Sequence, residues 1–280
     1  MTRLVLTLSC ADEPGIVHEV TGAILRWGGN VTESAQFHDP DAGRFFMRVA
    51  FDGTDTKAAF EAALAPLAAR YAAAASVHDA DRRMRTLLLV SKTGHCLNDL
   101  LYRARIDALP VRLVGVASNH EDWRARVEAE GLPFWHHPVD AATKPQQEAA
   151  LADLIARERV ELVVLARYMQ VLSDGFARQL AGRVINIHHA FLPSFKGARP
   201  YTRAHARGVK MIGATAHYVT PDLDEGPIIE QGVVRVHHGM APKELVAAGR
   251  DVEAQVLARA VALHAESRVL LNGERTVVFG

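Results

Sequence analysis

Four short, largely apolar runs, starting at residue 87, constrain the fold more strongly than any other feature of the sequence. They are Leu87 to Val90, Val111 to Ala117, Leu162 to Ala166 and Val184 to Ile187. Helical stretches separate the runs, and a polar residue follows each one. Such runs are typical of parallel strands that helices cover on both faces. The sequence therefore predicts an open, mostly parallel α/β sheet.

The polar residues that follow these runs are expected along one edge of the sheet, because the carboxyl ends of parallel strands meet there. They are Ser91 and Lys92, then Ser118 to His120, then Arg167 to Met169, and finally Asn186 to His188. Ligands of open α/β sheets bind outside this edge. We therefore expect the functional site there.

The first 80 residues show a different pattern. The order strand, helix, strand, strand, helix, with a last strand near Ala74 to Val77, predicts the split βαβ topology of ferredoxin-like domains. The segment from His78 to Arg83 is polar and lacks periodicity, as domain linkers do. We therefore predict two domains, residues 1–80 and residues 81–280.

Charge and cysteine content narrow the range of partners. Lysine plus arginine and aspartate plus glutamate each number 32, so no global charge favours nucleic acid or an anionic membrane. Cys10 and Cys96 lie far apart and form no CxxC motif, and the N-terminus resembles neither a signal peptide nor a membrane span. We expect a cytoplasmic protein with a small-molecule partner. No three ligands have metal-site spacing despite fourteen histidines, so we predict no metal.

Two stretches contain the candidate catalytic residues. Asn186 and His188 are two residues apart at a strand end, so both side chains project from one face. Thr215 and His217 share a face of a later strand, which leads into an acidic loop with Asp224. Acyl transfer needs donors for an oxyanion and a group that handles a proton. Asn186 and His188 suit the first need and Asp224 the second, acting on water directly or through His188. For Thr215 and His217 we expect a supporting role behind the site.

These two stretches closely resemble the formyltransferase fold of folate-dependent formyl-transfer enzymes. That family pairs Asn-x-His-x-x-x-Leu-Pro, here Asn186 to Pro193, with Thr-x-His and then Asp-x-Gly-x-Ile, here Asp224 to Ile228. The resemblance covers about residues 85 to 280 and implies that Asn186, His188 and Asp224 are catalytic. Three further stretches are similar to the formyltetrahydrofolate deformylase branch: Ser91 to Leu100, Ile187 to His189 and Gly197 to Tyr201.

The resemblance implies hydrolysis of 10-formyltetrahydrofolate to formate and tetrahydrofolate, which supplies formate for purine biosynthesis and balances one-carbon folate pools. It implies no prosthetic group, and it places the pterin in a slot between two backbone segments. The slot residues implied are Arg167, Met169, Val171, Leu172, Val219, Thr220 and Asp222. Lys92 either meets the glutamyl tail of the folate or is solvated. His95 is a candidate for contact with substrate or water, and core packing is expected for Cys96.

A second function remains open, namely transfer of the formyl group to an amine. Glycinamide ribonucleotide transformylases carry a glycine-rich phosphate loop after the first strand, where this chain has Ser91 to Cys96. A phosphorylated amine would lose its usual cradle here, whereas water needs none. The residues therefore favour hydrolysis.

The N-terminal turn Asp12-Glu13-Pro14-Gly15-Ile16 resembles that of the ACT domain, a small regulatory module, over residues 1 to 80. This resemblance implies an effector site, for which Asp12, Gly15, Ile16 and Asn30 are the candidates. The ligand would be an amino acid such as glycine or methionine. A structural or dimerising role for the turn stays open, as does a third function for the protein, non-catalytic amino-acid sensing. By analogy with ACT modules we expect a dimer or tetramer.

Overall fold

A computed structural model of the chain describes residues 1–192 and 200–280. It divides into two units. Unit 1 comprises Met1–Arg82, Glu266–Asn272 and Thr276–Gly280, and unit 2 comprises Arg83–Ala265 and Gly273–Arg275. The N-terminal division lies two residues beyond the predicted boundary. Unlike the prediction, most of the C-terminal segment belongs to unit 1.

Unit 1 contains an antiparallel sheet with the strand order β2-β3-β1-β4. Its elements are β1 Thr2–Ala11, α1 Ile16–Arg26, β2 Asn30–Asp39, β3 Arg44–Gly53, α2 Lys57–Arg70 and β4 Ala74–Asp79. The predicted order of strands and helices is therefore present. Thr56 begins α2 because its hydroxyl accepts a hydrogen bond from the Ala59 N–H at 3.2 Å.

Alternation along β1 and β3 builds the core of unit 1. Leu4, Leu6 and Leu8 are buried on β1, as period-2 side-chain alternation requires. Three aromatic rings pack together in this core. The ring centroids of Phe51 and Phe60 lie 5.6 and 5.4 Å from that of Trp27. Edge-to-face contacts of this kind favour a fixed arrangement of the rings.

Unit 2 contains a seven-stranded mixed sheet. The order is β11-β10-β9-β8-β5-β6-β7, parallel from β9 to β7 and antiparallel at β10 and β11. The strands are β5 Met84–Val90, β6 Val111–Ser118, β7 Phe134–His136, β8 Leu162–Leu165, β9 Val184–His188, β10 Met211–Tyr218 and β11 Ile228–Arg235. The prediction of a mostly parallel α/β sheet is confirmed. The sequence pattern did not reveal β7, which has only three residues.

Helices accompany the strands of unit 2. They are α3 His95–Arg105, α4 Arg124–Glu128, α5 Lys144–Arg157, α6 Asp174–Gln179, α7 Pro200–Arg207 and α8 Pro242–Ala265. On α8 a buried stripe recurs every four residues, with Leu245, Gly249, Glu253 and Leu257. Among the helices that the structure describes, none is long and apolar enough to cross a membrane.

The C-terminal segment forms a two-stranded hairpin of β12 Val269–Asn272 and β13 Arg275–Val278. Residues on and before β12 contact strands of unit 1. The Asn272 amide donates to the Asp39 carboxylate at 2.6 Å, and Arg268 pairs with Glu33 at 2.9 Å. These polar contacts explain why most of the segment belongs to unit 1.

Candidate active site

The register of β9 and β10 brings four polar side chains into two facing pairs. His217 lies opposite Asn186, and Thr215 lies opposite His188. Nδ1 of His217 donates to the Tyr218 carbonyl at 2.9 Å, which leaves Nε2 as an acceptor in the neutral ring. The Asn186 amide nitrogen lies 3.3 Å from that Nε2. His217 thus orients the Asn186 amide, whose second N–H can donate to a ligand.

Asp224 joins this group from the acidic loop. Its backbone has φ +57°, in the left-handed region that Asp tolerates better than most residues. One carboxylate oxygen lies 3.1 Å from His188 Nδ1, and the other lies 3.7 Å from His217 Nε2. Burial opposes ionisation of the carboxyl, but the hydrogen bond from His188 and the nearness of both imidazoles outweigh it and hold the pKa of Asp224 well below its usual range. Asp224 is therefore an anion paired with His188.

His188 has one ring nitrogen to offer a ligand. The residue is 5% exposed, and Nε2 is buried with no hydrogen-bond partner among residues 1–192 and 200–280. A buried polar nitrogen without a partner is costly unless a ligand or water satisfies it. With Nδ1 held by Asp224, a protonated His188 can donate from Nε2 to a developing oxyanion.

These side chains line a cavity of about 290 Å³. Apolar residues form much of its wall, among them Leu165, Ile187 and Leu223. The structure places all seven predicted substrate-binding residues there, namely Arg167, Met169, Val171, Leu172, Val219, Thr220 and Asp222. A mostly apolar slot with a few polar groups at one end suits a flat heterocycle.

Of the supporting residues, Thr215, Lys92 and His95 lie outside the lining of this cavity. Thr215 is fully buried, donates to the Ala190 carbonyl at 2.9 Å and accepts from the Leu192 N–H at 3.0 Å. It therefore holds the chain that follows β9. Lys92 is exposed, and its backbone carbonyl accepts from the Trp123 indole at 3.2 Å.

His95 and Cys96 open α3 beside a buried carboxylate. Nε2 of His95 lies 2.9 Å from Glu253, and burial raises the pKa of the Cys96 thiol far above its usual range. A protonated, fully buried thiol is a poor nucleophile, which agrees with core packing. The three side chains come close enough to share a cation, but Glu253 already pairs with Arg167 at 3.4 Å.

The sequence patterns did not identify His189, Tyr201 and Glu253 as site residues. The Arg167 guanidinium lies 2.5 Å from His189 Nδ1, and the His189 ring stacks on His188 with centroids 5.1 Å apart. The Tyr201 hydroxyl donates to Glu253 at 2.6 Å. Only Glu253 had a usable signal, since an acidic residue on the apolar stripe of α8 indicates a buried charge with a partner.

The candidate effector residues lie in unit 1. Gly15 has φ +99° and precedes α1, where Ile16 is buried. The Asp12 carboxylate lies 2.6 Å from His38 Nδ1, and Asn30 is an exposed residue at the start of β2. The structure gives these residues ordinary turn and surface positions, and their role as an effector site stays a prediction.

Part of the motif that supports the resemblance lies outside the described residues. Pro193 of the Asn-x-His-x-x-x-Leu-Pro element is one such residue, and Gly197 to Arg199 are others. The structure does not test the predictions made for these residues.

Comparison with known proteins gives consistent results. A model of the family described as formyl transferase matches residues 84–261. A formyltetrahydrofolate deformylase of Corynebacterium sp. (strain P-1) is 52% identical over 99% of this chain and 98% of that protein. The crystal structure of a formyltetrahydrofolate deformylase from Burkholderia mallei is similar with a TM-score of 0.96 and 51% identity, covering 100% of both chains. Glycinamide ribonucleotide transformylase 1 from Symbiobacterium toebii has a TM-score of 0.66 and 32% identity, covering 71% of this chain and 95% of that one.

Proposed function

This chain belongs to the formyl transferase family, and we propose that it hydrolyses 10-formyltetrahydrofolate to formate and tetrahydrofolate. One observation of the structure supports this function above the others. Asn186, His188 and Asp224 meet at the polar end of an apolar cavity that can hold a flat heterocycle. That geometry suits an attack on a carbonyl carbon bonded to a pterin-bearing nitrogen.

In the proposed reaction a water molecule attacks the formyl carbon. The Asn186 amide and the protonated His188 Nε2 donate to the oxygen that becomes negative, and one such donor is worth about 3 kcal/mol. Asp224 remains ionised, orders the water and stabilises the imidazolium of His188. The bond from carbon to N10 breaks, one proton of the water passes to N10, the other is released to solvent, and formate leaves. No prosthetic group takes part.

The folate lies between two walls of the cavity. Met169, Val171 and Leu172 follow β8 and form one wall, and the backbone from Val219 to Asp222 forms the other. The apolar wall binds the pterin faces, and backbone groups of the acidic loop bind its polar edge. The roles of Arg167 and Thr220 in this slot are part of the same proposal.

For residues 1 to 80 the proposal is an ACT-like domain. The order βαββαβ and the strand order β2-β3-β1-β4 agree with a ferredoxin-like topology. Such a domain would bind an amino acid near Asp12 and Gly15 and would associate into a dimer or tetramer. Calorimetry with glycine and with methionine tests the effector, and no heat at millimolar ligand would count against it.

Hydrolysis and transfer to an amine differ in the acceptor of the formyl group, which is water in the first and an amine in the second. The purified protein is incubated with 10-formyltetrahydrofolate and no amine, and formate is measured with a coupled dehydrogenase. The proposal predicts catalytic formate release, matched by an equal amount of tetrahydrofolate. Formate at only the uncatalysed rate, with tetrahydrofolate and a formylated amine formed once an amine is added, would instead assign the protein as a transferase.

A further inference from the structure

A second cavity lies beside the catalytic cavity in unit 2. Its volume is about 330 Å³, and three residues line both cavities: Arg167, Met169 and His189. Tyr201 and Glu253 line only the second cavity. The three shared residues therefore form the partition between the catalytic cavity and the space next to it.

The Arg167 side chain is held at this partition. Its Nε lies 3.4 Å from a Glu253 oxygen, and its Nη1 lies 2.5 Å from His189 Nδ1. The backbone of Arg167 has φ +65°, and its carbonyl accepts from the Ser91 N–H at 3.2 Å. A non-glycine residue keeps a left-handed backbone only where its surroundings over-determine it. Contacts therefore hold Arg167 both at its backbone and at its guanidinium.

Glu253 is the anchor of Arg167. It is 1% exposed, and it accepts from the Tyr201 hydroxyl at 2.6 Å and from His95 Nε2 at 2.9 Å. Burial opposes its ionisation, but the hydrogen bond from His95 and the charge of Arg167 outweigh burial and lower the pKa of Glu253. A buried carboxylate with this many donors stays ionised and does not move.

His189 contributes no charge to the partition at neutral pH. Burial and the neighbouring Arg167 cation lower the pKa of His189 to about 4. Its Nδ1 is therefore an acceptor for Arg167, and Met169 is uncharged. The guanidinium is the one ionised group among the three residues that line both cavities.

We propose that Arg167, positioned by Glu253, is a specificity-determining residue that reserves the formyl group for water. The inference rests on the proposed function. Transfer to an amine forms a bond from carbon to the acceptor nitrogen, breaks the bond to N10 and moves one proton from the acceptor to N10. An acceptor that reaches the formyl carbon from the second cavity must pass the partition. The guanidinium fills it, disfavours an ammonium ion, and offers only N–H donors, so it cannot take a proton from the acceptor.

Product analysis in the presence of an amine tests this role. Wild-type protein and the variants Arg167→Ala, Arg167→Lys and Arg250→Ala are incubated with 10-formyltetrahydrofolate and glycinamide. Formate and N-formylglycinamide are measured by mass spectrometry. Arg250→Ala is the matched control, since it removes an exposed guanidinium from the lining of the second cavity without touching the partition.

Among these proteins, only Arg167→Ala is expected to change the product ratio. Wild type, Arg250→Ala and Arg167→Lys give formate, and Arg167→Ala raises the ratio of formylated amine to formate by about tenfold or more. Should circular dichroism show that Arg167→Ala is unfolded, Arg167→Gln gives the same readout while keeping the Cβ to Cδ stem of the side chain. Wild-type product ratios in all variants would overturn the proposal, and so would loss of formate without formylated amine.

Glu253→Gln tests the positioning part. It keeps the size of the side chain and removes the ion pair, so it should shift the product ratio in the same direction while the KM for the folate stays within about twofold. An unchanged ratio of formylated amine to formate would show that Glu253 does not position Arg167 for this role. If the proposed function itself were wrong, the result would be different: the wild-type protein would release no formate in the absence of glycinamide.

Discussion

Asp224 unites an unusual backbone conformation with a buried charge at the centre of the cavity. Its φ of +57° suits only a few residue types, and its carboxylate lies 3.1 Å from His188. Asn is the substitution that separates the two properties, because it also tolerates the left-handed region and has the same shape. The charge can therefore be removed while the loop is preserved.

Asp224→Asn is expected to cut turnover by more than about 10²-fold, because a neutral amide neither stabilises the imidazolium of His188 nor orders the attacking water as the carboxylate does. Steady-state formate release measures the effect, and thermal unfolding checks that the fold is kept. Glu225→Gln, one residue along the same loop, is the control. Near-normal turnover of Asp224→Asn would remove this residue from the mechanism.

Asn186→Ala removes the second donor to the oxyanion. Loss of one such donor lowers kcat by about 10²- to 10³-fold. KM should change little, because the amide acts mainly on charge that develops in the transition state. A rise in KM with kcat unchanged would show that Asn186 only binds substrate.

At the scale of elements, the acidic loop depends on one close backbone approach. A Cβ at Gly226 would lie 1.8 Å from the Tyr218 carbonyl oxygen, which cannot move without disturbing β10. Gly226→Ala should therefore displace Asp224, lower activity and destabilise the protein by about 1–3 kcal/mol. Urea unfolding and formate release measure both effects. Gly175→Ala is the control, because a Cβ there meets nothing within 4 Å. Equal behaviour of the two variants would contradict this account of the loop.

Much of the architecture follows from local pattern, and much of the site does not. The apolar runs predicted β5, β6, β8 and β9, and the spacing of Asn186 and His188 predicted their common face. His217 lies opposite Asn186 because of the antiparallel register of β9 and β10, and no local pattern specifies that register. Glu253 reaches His95 across 158 residues of chain, so only its place on an apolar helix stripe pointed to a buried partner.

At the scale of the whole molecule, the change of pattern near residue 80 predicted two units, but it could not assign the C-terminal segment. The hairpin itself is visible in the sequence around Asn272 and Gly273. Its membership of unit 1 depends on polar pairs such as Asn272 with Asp39. Such pairs join residues more than two hundred positions apart, and any polar residue could have supplied them.

Stability should depend on pH through His189. Because burial and Arg167 lower its pKa from 6.5 to about 4 in the folded protein, the unfolded chain binds a proton between these values that the folded protein does not. The free energy of unfolding therefore falls as pH drops from 6.5 to about 4, by roughly 3 kcal/mol from this group. His189→Gln keeps an acceptor for Arg167 and should show a shallower fall in urea titrations. The same slope in both proteins would contradict the assignment.

The origin of the oxygen in formate tests the central claim most directly. The protein is incubated with 10-formyltetrahydrofolate in water enriched in ¹⁸O, without any amine, and formate and tetrahydrofolate are quantified by mass spectrometry. Hydrolysis predicts catalytic release of both products in equal amounts, with solvent ¹⁸O in the formate. No formate above the rate of a protein-free control would contradict it.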